Sequence, residues 1–232
     1  MNFNVITLFP EALMDMLSFG VIGRAIKDKH IKLRCFNPRD WSDNKHRRVD
    51  DRPFGGGAGM LMMYDPLYRT LMAIKQQDAD TRVIYLSPQG QPLKQADCNQ
   101  MAATMGSITL LCGRYEGVDQ RFIDAHVDLE LSLGDYVISG GELAAAVLID
   151  AVSRQIPGVL GDESSAQDDS FMSGKLGYPQ YTRSELLGQS GVPEVLLSGD
   201  HQKIAAWRAA QALAKTKQQR PDLMAGTSEG ES

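Results

Sequence analysis

The stretch LSLGDYVISGGELAAAVLIDAVSR, residues 131–154, decides the fold because it joins a glycine-rich loop directly to an apolar helix. Glycine lets the backbone approach a ligand closely, and the first N–H groups of a helix have no partner within it. A ligand cradle is therefore predicted where the helix begins, near Gly141. Two earlier segments, residues 83–93 and 108–119, have the same form: a short apolar run followed by a turn rich in Gly, Pro and polar residues.

Three such loops after three buried segments indicate a single site, because open α/β sheets bind ligands outside the carboxyl ends of their strands. The rest of the first half also alternates between strands and helices. Further strands are predicted at FNVITLF and IKLRCF, and helices at residues 10–26, 66–75 and 95–105. This alternation predicts an α/β fold with a mainly parallel sheet and helices on both faces.

The composition is that of an ordinary globular protein, with 232 residues, 43% of them hydrophobic, and a net charge of -5. No apolar run reaches the ~18 residues of a membrane helix, and the start MNFNVITLFPE lacks signal-peptide features, so a cytoplasmic location is predicted. The three cysteines show no CxxC spacing, which favours buried free thiols over a disulfide or a zinc site. The acidic balance argues against indiscriminate nucleic-acid binding but leaves a local basic patch open.

The second half of the chain changes character at residues 161–176, a run rich in Ser, Asp and Gly that is predicted to be a flexible linker. Helices are predicted beyond it at residues 183–187 and 200–219, within a small helical domain of residues 177–222, before a disordered tail, 223–232. The long helix carries basic residues without acidic ones, which favours RNA phosphate contacts over a merely solvated helix face. The candidate contacts are Lys203, Arg208, Lys215 and Lys217.

The sequence excludes two common phosphate-binding motifs for the three loops. Neither GxGxxG after the first strand nor GxxxxGK[ST] occurs, and DRPFGGGAGM, residues 51–60, lacks the Lys-Ser/Thr pair. A ligand without phosphate fits better, such as S-adenosylmethionine, whose positive end Glu116 can face. The alternative is that these glycines are turn residues between buried strands. Taken alone, Arg154 is a dipole-favoured helix end, and Asp168 and Asp169 are solvated linker carboxylates.

Several long motifs, in order, closely resemble the bacterial tRNA (guanine-N1)-methyltransferases, the TrmD family of the SPOUT superfamily. The resemblance runs from the first residue to about residue 222, through ITLFPE, VDDRPFGGGAGMLM, YLSPQG, CGRYEGVD, SLGDYVISGGELA, DAVSRQIPGVLG and VLLSGDH. It implies a SPOUT-type α/β domain over residues 1–160 with a C-terminal trefoil knot. It also implies an obligate homodimer with the active site at the subunit interface, and a small all-α C-terminal domain that grips tRNA.

The resemblance also implies roles for individual residues. The family transfers a methyl group from S-adenosylmethionine to N1 of the guanosine 3′ of the anticodon, position 37, and Asp169 matches its general base and Arg154 the partner of that base. The family needs magnesium, for which no ligand cluster is identifiable in the sequence and Glu116 is a candidate. The residues matching the cofactor pocket are Tyr85, Leu86, Ser87, Pro88, Gly113, Tyr115, Glu116, Leu133, Gly134, Asp135, Tyr136, Val137, Ile138, Gly140 and Gly141.

Four departures from the family pattern bear on these expectations. Ala58 and Ala144 replace frequent prolines, which affects loop rigidity, and Gln180 and Ser184 replace a frequent His and Pro, which affects a substrate contact. Two functions of other classes stay open on the residues alone. A nucleotide-dependent metabolic enzyme leaves the basic helix unexplained, and a non-catalytic RNA-binding module does not need Asp169.

Overall fold

A computed structural model describes residues 1–161 and 169–227 of the chain, with side chains up to residue 224. Two compact units divide the chain, Met1–Gly161 and Asp162–Ser232. The first unit contains, in order, β1 (Asn2–Ile6), α1 (Pro10–Met16), α2 (Gly20–Lys27), β2 (Lys32–Phe36), β3 (Asp50–Asp51), β4 (Leu61–Met62), α3 (Tyr64–Gln77), β5 (Arg82–Pro92), α4 (Gln95–Thr104), β6 (Ser107–Cys112), α5 (Gln120–His126), β7 (Leu129–Ser132) and α6 (Glu142–Ser153).

The main sheet has five strands in the order β2-β1-β6-β5-β7, and each neighbouring pair is parallel. Phe3 of β1 lies opposite Leu33 of β2 and Ile108 of β6, so the N-terminal strand lies inside the sheet. The predicted α/β fold with a mainly parallel sheet is confirmed. β3 and β4 form a separate antiparallel pair.

Side chains of the central strands pack alternately into two hydrophobic clusters. Val5 and Ile84 join one cluster with residues of α1, α2, α4 and α6, whereas Ile6 and Val83 join another with residues of α3 and α5. Successive residues of a strand point to opposite faces, so each cluster lies on its own face of the sheet. Helices therefore cover both faces, which explains why successive residues of β5 and β6 are apolar in the runs VIYL and ITLLC.

The predicted single helix over residues 10–26 is wrong. α1 ends at Met16 and α2 begins at Gly20, whose φ of +65° is a left-handed conformation that a continuous right-handed helix does not contain. The Ser18 hydroxyl donates to the Asp15 carbonyl at 2.8 Å and so competes with the helical pattern at this break. The apolar spacing that indicated one helix arises from two shorter helices packed against the same cluster.

A polar network surrounds Asp78, directly after α3. Its Oδ2 atom accepts hydrogen bonds from Ser107 Oγ at 2.6 Å, Asn2 Nδ2 at 3.2 Å and Asn4 Nδ2 at 3.3 Å, and it pairs with Arg34 Nη2 at 3.0 Å. Burial raises the pKa of the Asp78 carboxyl, but the three hydrogen bonds and the Arg34 charge outweigh burial and hold this pKa below its ordinary value. These five residues are called the Asp78 network.

In the second unit, α7 (Glu194–Leu197) and α8 (His201–Gln219) are followed by a 3-10 helix, Pro221–Thr227. The predicted cap of the long helix is confirmed, because Asp200 Oδ1 accepts from the Lys203 N–H at 3.2 Å. The 3-10 helix includes residues 223–227, the first part of the tail of residues 223–232, whose disorder stays a prediction. Residues 228–232 lie outside the described part of the chain, as do residues 162–168 of the predicted linker.

The predicted helix over residues 183–187 is wrong. These residues form a turn closed by an isolated antiparallel bridge between Ser184 and Gly188. The Ser184 side chain accepts the Leu187 N–H at 3.1 Å, its carbonyl accepts the Gly188 N–H at 2.9 Å, and Gly188 has a φ of +58°. A serine side chain that accepts a hydrogen bond from the nearby backbone and a glycine in the left-handed conformation both favour a turn over a helix.

Candidate functional site

A cavity in the first unit lies where β6 and β7 end and α6 begins, beside an irregularity within β5. The lining comes from four segments, residues 85–89, 113–117, 131–134 and 136–141, together with Ala144. The three loops singled out in the sequence therefore meet around one cavity. Its position at the carboxyl edge of a parallel sheet is the usual place for a ligand in such folds.

Every residue predicted for the cofactor pocket lines this cavity except Asp135, whose side chain is exposed. Asp135 lies inside the SLGDYVISGGELA motif, and a sequence motif does not say which loop side chains face inward. The lining residues that sequence reasoning missed are Gln89, Arg114, Gly117, Leu131, Ser132, Ser139 and Ala144.

The first wall of the cavity comes from an irregularity in β5. Leu131 of β7 lies opposite both Leu86 and Gln91 of β5, so the residues between them leave the ladder. The Ser87 hydroxyl accepts the Gln89 N–H at 3.1 Å and stabilises this excursion. At Gly90 a Cβ atom would lie 2.4 Å from the Leu131 nitrogen, so glycine is required where the two strands meet again.

The second wall is the tight turn after β6. Tyr115 has a φ of +61°, and the Gly117 N–H donates to the Arg114 carbonyl at 3.2 Å. Glu116 contacts the glycine-rich segment that follows β3: its N–H donates to the Met60 carbonyl at 3.0 Å, and a Cβ atom on Gly59 would lie 2.3 Å from Glu116 Cγ. The glycine-rich segment therefore packs behind the turn that presents Glu116.

The third wall is the loop before α6, and its final glycine serves a different purpose from the one predicted. A Cβ atom at Gly141 would lie 2.6 Å from Cys112 Cα and 3.0 Å from the Gly113 nitrogen, while the Gly141 N–H donates to the Gly113 carbonyl at 3.0 Å. Gly141 is thus required for contact between α6 and β6. A side chain at Gly141 would therefore meet β6 and not the space of the predicted ligand cradle.

Two charged residues, Arg114 and Glu116, line the cavity. Of these two, only Arg114 is in an ion pair within the first unit. Arg114 Nη2 lies 2.8 Å from Glu142 Oε2, and the side chains of these residues are 26% and 7% exposed. Glu142 Oε1 also accepts from the Thr7 hydroxyl at 2.7 Å. Because Glu142 neutralises Arg114, the net charge of the lining residues is the negative charge of Glu116, whose side chain lies beside Gly59.

The two residues predicted to act in catalysis lie in different units. Arg154 caps the carboxyl end of α6 in the first unit, where its N–H donates to the Asp150 carbonyl at 3.0 Å. Asp169 lies in the second unit, and its carbonyl accepts the Met172 N–H at 3.3 Å. Asp168 lies outside the described residues.

All four basic side chains predicted for RNA contact are exposed on α8. Two of them already have partners within the second unit. Lys203 Nζ lies 3.1 Å from Asp200 Oδ2, and the Arg208 guanidinium lies 4.8 Å from the centre of the Tyr178 ring. Lys215 and Lys217 follow further along the helix, and their exposure leaves them accessible to an RNA phosphate.

The cysteines match the expected free thiols: Cys98 and Cys112 are buried and Cys35 is half-buried. Burial, with a smaller contribution from a nearby acidic side chain, raises the pKa of Cys35 and of Cys98 to about 11. Across residues 1–161 and 169–227, no group of three or more His, Cys, Asp or Glu side chains could hold a metal ion. No helix in this same part of the chain has both the length and the apolar character needed to cross a membrane.

These features define an α/β protein with a cavity at the carboxyl edge of a parallel sheet. Residues 1–226 match the family model described as "tRNA (Guanine-1)-methyltransferase TrmD". The chain belongs to this family.

Curated relatives agree with the family model. A protein of Buchnera aphidicola is 50% identical over 222 residues, covering 96% of this chain and 94% of the relative. A protein of Alcanivorax borkumensis is 54% identical over 224 residues, 95% of this chain and 84% of the relative. A protein of Aeromonas hydrophila is 54% identical over 221 residues, which cover 95% of this chain and 88% of the relative. Each is named tRNA (guanine-N(1)-)-methyltransferase.

Proposed function

We propose that this protein is a tRNA (guanine-N1)-methyltransferase that transfers a methyl group from S-adenosylmethionine to N1 of the guanosine 3′ of the anticodon, position 37. Membership of the family supports the reaction, since relatives at 50–54% identity carry this name over nearly the whole chain. The observation that carries the choice of methyl donor is the charge of the cavity formed by the three loops.

The cavity suits a cationic ligand better than a phosphorylated one. Arg114 is neutralised by Glu142, and Glu116 adds a negative charge to the lining. A pyrophosphate would be repelled by that carboxylate, whereas a sulfonium would be attracted to it. The apolar side chains of Leu86, Leu133 and Ile138 provide walls for an adenine ring. This balance favours S-adenosylmethionine over the nucleotide of a metabolic enzyme.

In the proposed reaction S-adenosylmethionine, when bound, would supply an electrophilic methyl group, and its sulfur–methyl bond would break as the bond to N1 forms, leaving the neutral thioether S-adenosylhomocysteine. N1 of neutral guanine carries a proton, which Asp169 accepts as the N1–methyl bond forms. Loss of that proton shifts negative charge towards O6, where the permanently cationic Arg154 donates hydrogen bonds. Recognition of the correct tRNA brings Asp169 to the guanine, so that substrate binding completes the site.

The proposal includes an assembly. Leu143 and Val147 on α6 are 56% and 52% exposed, and a second copy of the chain would cover such an apolar surface. The homodimer would place Asp169 of one subunit at the cofactor pocket of the other. The C-terminal knot, the all-α tRNA-binding domain over residues 177–222 and the magnesium requirement complete the proposal as predictions of the family resemblance. The linker over residues 161–176 and the cytoplasmic location are predictions of the sequence composition.

The decisive experiment incubates the purified protein with labelled S-adenosylmethionine and two transcripts of one tRNA, with G or A at position 37. Label should enter only the G37 transcript, and nucleoside analysis should identify 1-methylguanosine. Titration calorimetry with S-adenosylmethionine, ATP and NAD tests the ligand separately, and binding of only the first is expected. Binding of tRNA without methyl transfer would instead identify a non-catalytic RNA-binding module.

Mixing two inactive variants tests the shared site. Gly141→Val displaces the start of α6 and with it the third wall of the cofactor pocket, and Asp169→Asn removes the base, so each homodimer should be inactive. A purified heterodimer has one site with an intact pocket from one subunit and an intact base from the other, and it should regain up to about half of the wild-type activity, one site in two. Heterodimers as inactive as their parents would mean that base and pocket act within one chain.

A further inference from the structure

The ion pair between Arg114 and Glu142 lies at the cavity wall and is largely removed from solvent. Glu142 is the first residue of α6 and is almost completely buried. The 2.8 Å contact is close, yet Arg114 Nε and Glu142 Oε2 make no well-aligned hydrogen bond within the described residues. A carboxylate removed from water in this way depends on the neighbouring cation, because an unpaired buried charge is strongly destabilising.

Arg114 also contacts the loop that forms the third wall of the cavity. Its Nη1 atom donates to the Ser139 carbonyl at 3.2 Å. A Cβ atom at Gly140 would lie 2.2 Å from Arg114 Nε and 2.5 Å from its Cζ, so Gly140 must be a glycine for the guanidinium to fit. The guanidinium therefore supports residues 139–140 from behind.

The opposite side of the pair is fixed to the end of β1. The Thr7 hydroxyl donates to Glu142 at 2.7 Å and itself accepts the Phe9 N–H at 3.0 Å. The Phe9 ring lies 4.5 Å from the Arg114 guanidinium carbon, a cation–π distance. Side chains from the chain segment after β1, the turn after β6 and the start of α6 thus meet at one point.

We propose that Arg114 and Glu142 are positioning residues that hold the loop of residues 134–141 in the form that binds the cofactor. The proposal rests on the proposed function and adds two residues to which neither composition nor the family resemblance assigned a role. Arg114 acts through the Ser139 carbonyl and Gly140, and Glu142 keeps the guanidinium in place. Loss of the pair releases the loop and weakens cofactor binding, while the reacting groups at the guanine stay unchanged.

The test compares Arg114→Met, Arg114→Lys and Glu142→Gln with the wild type by cofactor titration, steady-state kinetics and thermal unfolding. Arg114→Met should raise the Kd and KM for S-adenosylmethionine about 10- to 100-fold, the loss expected for charge-assisted hydrogen bonds. The kcat at saturating cofactor should stay within about threefold, since such a change weakens binding of the cofactor equally in the ground state and in the transition state. Arg114→Lys should recover part of the affinity, because it retains the charge but not the planar donor geometry.

Glu142→Gln provides an independent variant, because its amide oxygen can still accept from Thr7 while its charge is lost. Like Arg114→Met, it should raise the Kd for the cofactor. The loss of binding free energy in the double variant should be smaller than the sum of the losses in the two single variants. The matched control is Arg82→Met, which removes an exposed pair with Asp128 on the same sheet, and its cofactor Kd should equal that of the wild type.

Two results would overturn the proposal. One is a lower unfolding temperature with an unchanged cofactor Kd, which would make the pair a stabilising contact only. The other is a large fall in kcat with KM unchanged, which would place Arg114 in the chemical step. Failure of the proposed function is recognised separately, because the wild type itself would then neither bind S-adenosylmethionine nor methylate tRNA.

Discussion

Replacement of Gly141 by alanine isolates the contact between α6 and β6. The added Cβ would lie 2.6 Å from Cys112 Cα, whereas carbon atoms in good contact are about 3.5–4.0 Å apart. The start of α6 must therefore move by about 1 Å. That movement stretches the 3.0 Å hydrogen bond from the Gly141 N–H to the Gly113 carbonyl and shifts the third wall of the cavity.

The cost has two parts. Overpacking of a well-packed site costs about 1–3 kcal/mol, and a weakened backbone hydrogen bond about 1 kcal/mol. A total of about 2–4 kcal/mol lowers the unfolding temperature of the first unit by about 5–15 °C for a unit of this size. A displacement of about 1 Å in a wall that positions the cofactor can reduce kcat/KM about 100-fold.

Differential scanning calorimetry and initial rates at varied S-adenosylmethionine concentration measure both effects. Gly106→Ala is the matched control, because a Cβ atom there meets nothing within 4 Å and the position has no left-handed φ. It should change stability by less than about 0.5 kcal/mol and leave the kinetics unchanged. If Gly141→Ala behaved like Gly106→Ala, close packing of α6 against β6 would not be what the glycine serves.

Three further predictions address catalysis, RNA binding and pH. Asp169→Asn should bind S-adenosylmethionine normally but lose about 10²- to 10⁴-fold in single-turnover methyl transfer, because an amide cannot accept the N1 proton; wild-type turnover would exclude Asp169 as the base. Lys215→Glu with Lys217→Glu should make the fall of log K for tRNA with log salt concentration less steep, by roughly one unit per lost phosphate contact. An unchanged slope in filter binding would mean that α8 is solvated and does not contact phosphates. Asp78→Asn should cost about 1–3 kcal/mol in urea unfolding at pH 7. Since the folded-state pKa of Asp78 is lowered, its contribution is complete above the unfolded pKa of about 3.9 and is lost as the pH falls below it, so a difference that persisted undiminished in acid would refute this cause.

The parallel sheet and the three-loop cavity could be predicted because β5 and β6 contain the apolar runs VIYL and ITLLC, which lead into Gly, Pro and polar residues. Strands buried on both faces produce such runs, and their carboxyl ends necessarily meet at one edge. β7 was missed because LELS is short and half polar. The break between α1 and α2 was missed because both helices bury apolar residues in the same cluster, which imitates one continuous stripe.

Within the site, sequence reasoning found the loops but not the side chains that hold them together. Arg114 lies in a polar turn, where an arginine is ordinarily solvated, and its partner Glu142 is 28 positions away. One signal was available: Glu142 is the first residue of a helix whose next seven residues are apolar, ELAAAVLI. A carboxylate beside that apolar face indicates burial and therefore a cationic partner. Whether Asp135 faces the cavity, and what a side chain at Gly141 would contact, depends on side-chain direction, which a sequence motif does not reveal.

The position of β1 inside the sheet has a consequence for synthesis of the protein. Asn2 lies opposite Ser107 of β6, so one edge of the N-terminal strand gains its partner only after about 105 more residues have been made. At translation rates of about 5–20 residues per second, the nascent chain carries that edge without β6 for roughly 5–20 s. β2 can cover the other edge much earlier, because Asn2 also lies opposite Lys32. During this interval the free edge is a binding surface for chaperones or for neighbouring nascent chains on a polysome.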